Sequence, residues 1–202
     1  MFDRYLLPLQ HRLLAAPARW LAARGVSADA LTLSGFAIGM AAVALVSQRL
    51  YGVALVCIGL NRLLDGLDGA VARLNGATDR GAFLDIALDF FFYAAVPFGF
   101  ALADPAANAL AAATLLLSFI GTSSSFLTFS ALAAKRGLVA PAFPNKGIYY
   151  LGGLTEAGET IAAFAAMCLW PVHFAAIAWV FAALAFVTTL LRWRQGWALL
   201  GA

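Results

Sequence analysis

The sequence predicts an all-α polytopic membrane protein of six transmembrane helices preceded by an amphipathic interfacial helix. Three observations carry that expectation. The 202 residues are 63% hydrophobic and only 11% charged, whereas soluble domains run to about 25% charged, so 13 Lys and Arg with 10 Asp and Glu cannot wet the surface of a packed core of this size. Mean hydropathy is +0.88. The apolar residues gather into six runs, each close to the roughly 20 residues that a spanning helix needs. A disordered chain is excluded by 16 Phe and 5 Trp, and two cysteines are too few for a disulfide scaffold.

A single membrane domain is expected over 1–202, with the interfacial helix at 1–25 and the six-span bundle at 26–202. The first segment is broken by Arg4, Pro8, Gln10, His11, Arg12, Pro17, Arg19 and Arg24, unlike the uninterrupted apolar core of a cleavable signal. Phe2, Leu6, Leu9, Leu13 and Trp20 recur at near-helical spacing, which predicts a basic helix lying in the membrane surface with these residues toward lipid. The spans follow at about Leu31 to Gln48, Tyr51 to Ala72, Ala82 to Ala103, Ala109 to Ala134, Tyr150 to Trp170 and Val172 to Leu191. Turn chemistry separates them: Gln48-Arg49, Asn75-Gly76, Asp104-Pro105, the loop with Pro141, Pro144, Asn145 and Gly147, and Trp170-Pro171. Cys57 and Cys168 lie inside apolar runs and read as small hydrophobes.

Six spans put both termini on one face of the membrane. Eleven of the 13 Lys and Arg fall on that face, with Arg49 opposite and Arg62 inside the second span. The asymmetry predicts cytoplasmic termini, and it accounts for the pI of about 9.1 without a nucleic-acid partner.

The acidic residues mark the chemistry, because carboxylates are expensive in a bilayer. Five of the ten lie between positions 65 and 89. Asp65 and Asp68 are three apart and Asp85 and Asp89 four apart, so each pair shares one helical face. Two antiparallel helices joined by about seven residues, Leu74 to Arg80, can turn those faces together and bring four carboxylates into one place. Such a group repels itself unless cations neutralise it. Hard divalent ions such as Mg²⁺ or Mn²⁺ suit oxygen ligands of this kind and usually keep water or substrate phosphates as further ligands. Gly69, Ala72 and Gly81 clear space for a ligand or a neighbouring helix, and Arg73 offers a guanidinium fork to a phosphate oxygen. Acidic clusters also build ion pathways, so a cation transporter is the competing class; it has no need of the small residues and the Arg interleaved here.

The pattern Asp65-x2-Asp68-Gly69-x2-Ala72-Arg73-x7-Gly81-x3-Asp85-x3-Asp89 resembles the signature of the CDP-alcohol phosphotransferases, six-span enzymes that make phospholipids from a CDP-activated alcohol. It departs in one respect: the interval between Arg73 and Gly81 is one residue shorter than is usual in the family. The resemblance covers about the first two-thirds of the chain. It implies two ions, Mg²⁺ or Mn²⁺, held by Asp65, Asp68, Asp85 and Asp89, with Asp89 also the general base. It further implies that Asp29, Thr32, Asp65, Gly69, Ala72, Arg73, Thr78 and Gly81 bind the CDP group. Asp29-Ala30-Leu31-Thr32 resembles the family's CDP-holding segment at the head of the first span, although Ser27 or Asp29 reads equally well as a helix N-cap.

By the same resemblance the donor is CDP-diacylglycerol or a similar CDP-alcohol, and a small polar alcohol takes the phosphatidyl group as CMP leaves. Lys135, Arg136 and Lys146 favour a phosphorylated polyol as acceptor, though they also obey the positive-inside rule. The run Asp89 to Pro97 resembles the corresponding stretch of serine-using members, which keeps serine as the alternative. A homodimer in the bacterial inner membrane, with a cytoplasmic active site, completes the expectation. Outside the signature, Asp79 is read as a solvated loop residue paired with Arg80, Glu156 and Glu159 as favouring the start of the fifth helix, and His173 as an interfacial anchor.

Overall fold

Capping chemistry sets the helix boundaries. The structure is a computed structural model that describes the backbone of residues 3–137 and 152–201, and side chains from Arg12 onward. In chain order the helices are α1 (Asp3–Ala23), α2 (Ala28–Ser47), α3 (Tyr51–Asn75), α4 (Asp79–Ala103), α5 (Pro105–Lys135), α6 (Ala157–Leu169) and α7 (Phe174–Leu200), with a 3₁₀ turn, Pro171–His173, before the last. No strand occurs among the described residues. Ser27 is the N-cap of α2, its hydroxyl accepting from the Ala30 amide at 3.2 Å. Asp104 caps α5 through the Ala107 amide at 3.1 Å, with Pro105 opening the helix where its missing N–H costs nothing. At α6 the Glu156 amide donates to Glu159 Oε2 at 3.1 Å, so these two acids do serve the start of that helix.

Several boundaries differ from the sequence expectation. The connection between α3 and α4 is three residues, Gly76 to Thr78, rather than about seven, because Leu74 and Asn75 continue α3 and Asp79 and Arg80 already belong to α4. Gly76, at φ +94°, then supplies a conformation that side-chain-bearing residues avoid, and the Thr78 hydroxyl caps α4 by accepting from the Gly81 amide at 3.0 Å. Asp79 is therefore the first residue of a helix and not a loop residue. It does not pair with Arg80, since adjacent helical residues point to different sides; Arg80 reaches back to Asp29 at the head of α2, at 2.5 Å. Helix α7 runs to Leu200, beyond the expected end of the last span, and carries Arg192 into the fold, where Nη1 donates to the Thr122 carbonyl of α5 at 3.0 Å.

Four helices are long and apolar enough to cross a membrane: Ala28–Ser47, Asp79–Ala103, Pro105–Lys135 and Pro171–Leu200. Helix α3 has 25 residues but carries Arg62, Asp65, Asp68 and Arg73, which remove it from a count based on apolarity. In the predicted fifth span only Ala157–Leu169 is helical among the described residues, and 13 residues reach about 20 Å against a hydrocarbon core of about 30 Å. The loop containing Pro141, Pro144, Asn145, Lys146 and Gly147 lies outside the described residues.

Helix α2 packs against both α3 and α4, and α5 against α4 and α7. The core is aromatic where the helices cross: Phe100 stacks on Phe174 at 4.5 Å and on Tyr51 at 5.5 Å, and Phe92 meets Phe164 edge-on. A Cβ on Gly39 would come within 2.8 Å of the Phe92 ring. The glycine is thus what lets α2 and α4 approach closely enough to seat that ring. Leu110, Ile120, Val172 and Val180 are exposed on the outer surface, as a lipid-facing exterior requires. Helix α1 lays Leu14 and Ala18 on Leu31, Leu67, Ala70 and Val71 of α2 and α3, leaving Leu13 and Trp20 exposed.

Candidate active site

The heads of α2 and α4 and the tail of α3 meet at one end of the bundle. Thr32 lies four residues inside α2, Asp68 seven residues before the end of α3 and Asp85 six residues into α4, which places all three roughly 6 to 11 Å below that end at 1.5 Å per residue. A pocket opens there, lined by Thr32, Gly35, Phe36, Asn61, Arg62, Asp65, Asp68, Asp85, Leu88 and Asp89. All four carboxylates of the predicted cluster line it.

Three of them form a group. One carboxylate oxygen from each of Asp65, Asp68 and Asp85 lies within 4.8 Å of the other two. Opposite ligands of an octahedral Mg²⁺ or Mn²⁺ stand about 4 Å apart, so the three residues fit one such ion with only small side-chain adjustments. Asp68 is buried, and its Oδ2 accepts from the Thr32 hydroxyl at 2.6 Å. This bond is short, as expected for a hydroxyl donating to a charged oxygen. It commits Thr32 to orienting an acidic side chain, a role its position in the sequence does not disclose.

The fourth carboxylate has a different partner. Arg62 Nη2 donates to Asp89 Oδ1 at 2.6 Å and Nη1 to Asp89 Oδ2 at 3.2 Å, a two-pronged pair that fixes the plane of the carboxylate. The same guanidinium donates to Asn61 Oδ1 at 2.7 Å and to the Tyr93 hydroxyl at 3.1 Å, and Nη1 lies 3.6 Å from Asp65 Oδ2. Asn61 is itself anchored, its Nδ2 donating to the Gly35 carbonyl at 2.9 Å. The rings of Phe92 and Tyr93 lie 5.1 and 5.3 Å from the guanidinium carbon, within cation–π range. The expected four-way convergence is therefore three carboxylates together and one clasped by Arg62. Sequence reading missed this use of Arg62 and Tyr93, although a lone arginine inside an apolar span was itself a signal.

The other predicted residues are placed as follows. A Cβ on Gly69 would stand 3.4 Å from Arg73 Nη1, so the exposed Arg73 folds back over that glycine. A Cβ on Gly81 would meet Asp29 Oδ1 and Thr78 Oγ1, each at 3.2 Å, which brings Asp29, Thr78 and Gly81 together at the mouth of the bundle. Ala72 lies on α3 one turn beyond Asp68. Lys135 and Arg136 are exposed at the end of α5 and do not line the pocket, and Lys146 lies outside the described residues. His173 is exposed in the 3₁₀ turn.

The model of the CDP-alcohol phosphatidyltransferase family matches residues 26–191. The chain belongs to that family. An inner membrane protein of Escherichia coli K12, YnjF, is 54% identical over 197 residues, 98% of this chain and 96% of that protein. An uncharacterized protein of Aquifex aeolicus is 34% identical over 161 residues, 79% of this chain and 76% of its own. Among solved structures, phosphatidylinositol phosphate synthase PgsA1 of Mycobacterium tuberculosis with CDP-DAG bound has a TM-score of 0.72 at 24% identity, covering 92% of this chain and 94% of that one. The same synthase in complex with manganese and citrate gives 0.71 at 24% identity, over 91% and 88% of the two chains. These two likenesses show a shared fold. This family member is a multi-pass membrane protein of a phospholipid-synthesising transferase family.

Proposed function

We propose that the chain transfers a phosphatidyl group from a CDP-alcohol, CDP-diacylglycerol, to the hydroxyl of a small polar alcohol, a phosphorylated polyol, with release of CMP. The observation that carries this reading is the convergence of Asp65, Asp68 and Asp85 to within 4.8 Å in one pocket, at the end of the bundle where Asp29, Thr78 and Gly81 also come together. A carboxylate group of that kind fits a hard divalent ion, and such an ion takes phosphate oxygens as its further ligands.

Asp65, Asp68 and Asp85 would hold the ion, Mg²⁺ or Mn²⁺. Bound there, it supplies charge stabilisation for the diphosphate and the departing CMP. Thr32 keeps Asp68 in place. Gly69 and Ala72 leave room for the nucleotide, and Arg73 pairs with a phosphate oxygen. Asp29, Thr78 and Gly81 border the cytidine end, and the Arg80 side chain must leave Asp29 for that carboxylate to take part. Asp89 takes the proton from the acceptor hydroxyl as the new O–P bond forms and the bond to CMP breaks; Arg62 occupies two of about four lone-pair sites on that carboxylate, leaving others for the hydroxyl. Lys135, Arg136 and Lys146 draw the acceptor's phosphate to this end of the bundle. The fold and the bound CDP-DAG of the mycobacterial synthase support a lipid-linked CDP donor.

The surrounding architecture completes the reading. Residues 1–202 form one domain, with α3 and α6 joining the four apolar helices as a six-span bundle, α1 lying in the membrane surface, and both termini and the pocket in the cytoplasm, where eleven of the 13 basic residues gather. The family resemblance supports a homodimer. Incubating the purified protein with CDP-diacylglycerol, Mg²⁺ or Mn²⁺ and a panel of alcohols, while following CMP release, tests the function. Release stimulated by a phosphorylated polyol supports it, stimulation by serine alone moves the acceptor to the unphosphorylated class, and no release with any alcohol overturns it.

A further inference from the structure

The resemblance implies two ions, yet among the described residues the structure gathers carboxylate oxygens for one and pairs the fourth carboxylate with an arginine. Arg62 spans Asp65 and Asp89, with Nη1 at 3.6 Å from the first and Nη2 at 2.6 Å from the second. A second ion in a two-metal site stands only about 3.5–4 Å from its neighbour, so a fixed cation beside Asp65 and Asp89 would compete with it for those carboxylates. The guanidinium cannot be deprotonated. It is also held firmly, by four hydrogen bonds, two to Asp89 and one each to Asn61 and Tyr93, and against the rings of Phe92 and Tyr93. Only 16% of its side chain is exposed, so water does little to screen its repulsion of a nearby divalent cation. Asp89 is correspondingly absent from the carboxylate group that fits an ion.

We propose that Arg62 is a built-in cation that takes the place of a second metal: the site binds one divalent ion, at Asp65, Asp68 and Asp85, and Asp89 is positioned by Arg62 rather than by metal. The inference rests on the metal-dependent reading above. A consequence is that Arg62 is a positioning residue for the proposed base, aligning its carboxylate from α3 across to α4.

The test is a count of bound Mn²⁺. The purified protein in detergent is titrated with Mn²⁺ alone, free ion being read by electron paramagnetic resonance and total ion by elemental analysis. One ion per chain with the spectrum of an isolated Mn²⁺ is expected, whereas two ions with spin-coupled lines overturn the inference while leaving the transferase reading intact. No bound Mn²⁺, with no CMP release, overturns the transferase reading itself. Arg62→Met should raise the count from one to two and Arg62→Lys should leave it at one; a folded Arg62→Met protein that still binds one ion refutes the exclusion. The double variant Arg62→Met with Asp89→Asn removes the pair without changing the net charge of the pocket. It should retain one ion at unchanged affinity, and its loss of Mn²⁺ binding would make Asp89 a ligand and overturn the proposal even if Arg62→Met alone does not fold.

Discussion

Replacing Thr32 by valine keeps the outline of the side chain and deletes one hydroxyl. In the structure that hydroxyl donates to Asp68 Oδ2 at 2.6 Å, with Thr32 9% and Asp68 5% exposed. Little water can take over the lost bond. A hydrogen bond to a charged group has a net worth of about 1.5–3 kcal/mol, or roughly 10- to 150-fold in an equilibrium constant. Partners that orient metal ligands from behind typically matter by about 10–100-fold in metal affinity. The two ranges overlap, so Thr32→Val should raise the Mn²⁺ dissociation constant by about 10-fold or more, and Thr32→Ser, which keeps the hydroxyl, should restore most of the affinity. The assay is a Mn²⁺ titration by electron paramagnetic resonance in the absence of nucleotide, followed by CDP-lipid binding at saturating Mn²⁺. If the Mn²⁺ affinity of Thr32→Val matches that of the unmodified protein and only CDP-lipid binding weakens, the hydroxyl serves the nucleotide directly and the reasoning from its contact with Asp68 is wrong.

Chelation with EDTA should abolish CMP release, and added Mg²⁺ or Mn²⁺ should restore it; full turnover in excess chelator would remove the metal from the mechanism. Asp89→Asn should lower the single-turnover rate by about 10²- to 10⁴-fold, the usual worth of a general base, while CDP-lipid still binds, and an equal loss of affinity would argue against the base. Alanine at Lys135, Arg136 or Lys146 should raise the KM for a phosphorylated acceptor far more than that for the CDP-lipid; unchanged acceptor kinetics in all three would favour an unphosphorylated alcohol. Gly39→Leu, whose first side-chain carbon would already lie 2.8 Å from the Phe92 ring, should destabilise the fold by about 1–3 kcal/mol through overpacking. A melting temperature equal to that of the unmodified protein would show that α2 and α4 part more easily than their packing indicates.

Composition alone settled that the chain belongs in lipid, since 11% charged residues cannot hydrate a soluble surface. Residue spacing alone assigned the acidic residues to shared helical faces, because 3.6 residues per turn fixes the angle between side chains on one helix whatever surrounds it. The signature from Asp65 to Asp89 likewise named the family before any contact was known, and Ser27 or Asp29 as a cap, Asp104-Pro105 as a break and Glu156 with Glu159 as a helix start were legible as local chemistry. What spacing does not fix is how far one helix is rotated and how deeply it is set against the next. Those are decided by packing, here by Gly39 admitting Phe92 and by α2, which packs against both α3 and α4. Only that packing joins Thr32 to Asp68, 36 positions apart, and Arg62 to Asp89, 27 apart. It thereby divides four similar carboxylates into three that can share an ion and one that answers to an arginine. The sequence supplies the charges in order along the chain; which charges neutralise which depends on distances across helices, and Coulomb energies follow those distances rather than sequence separation.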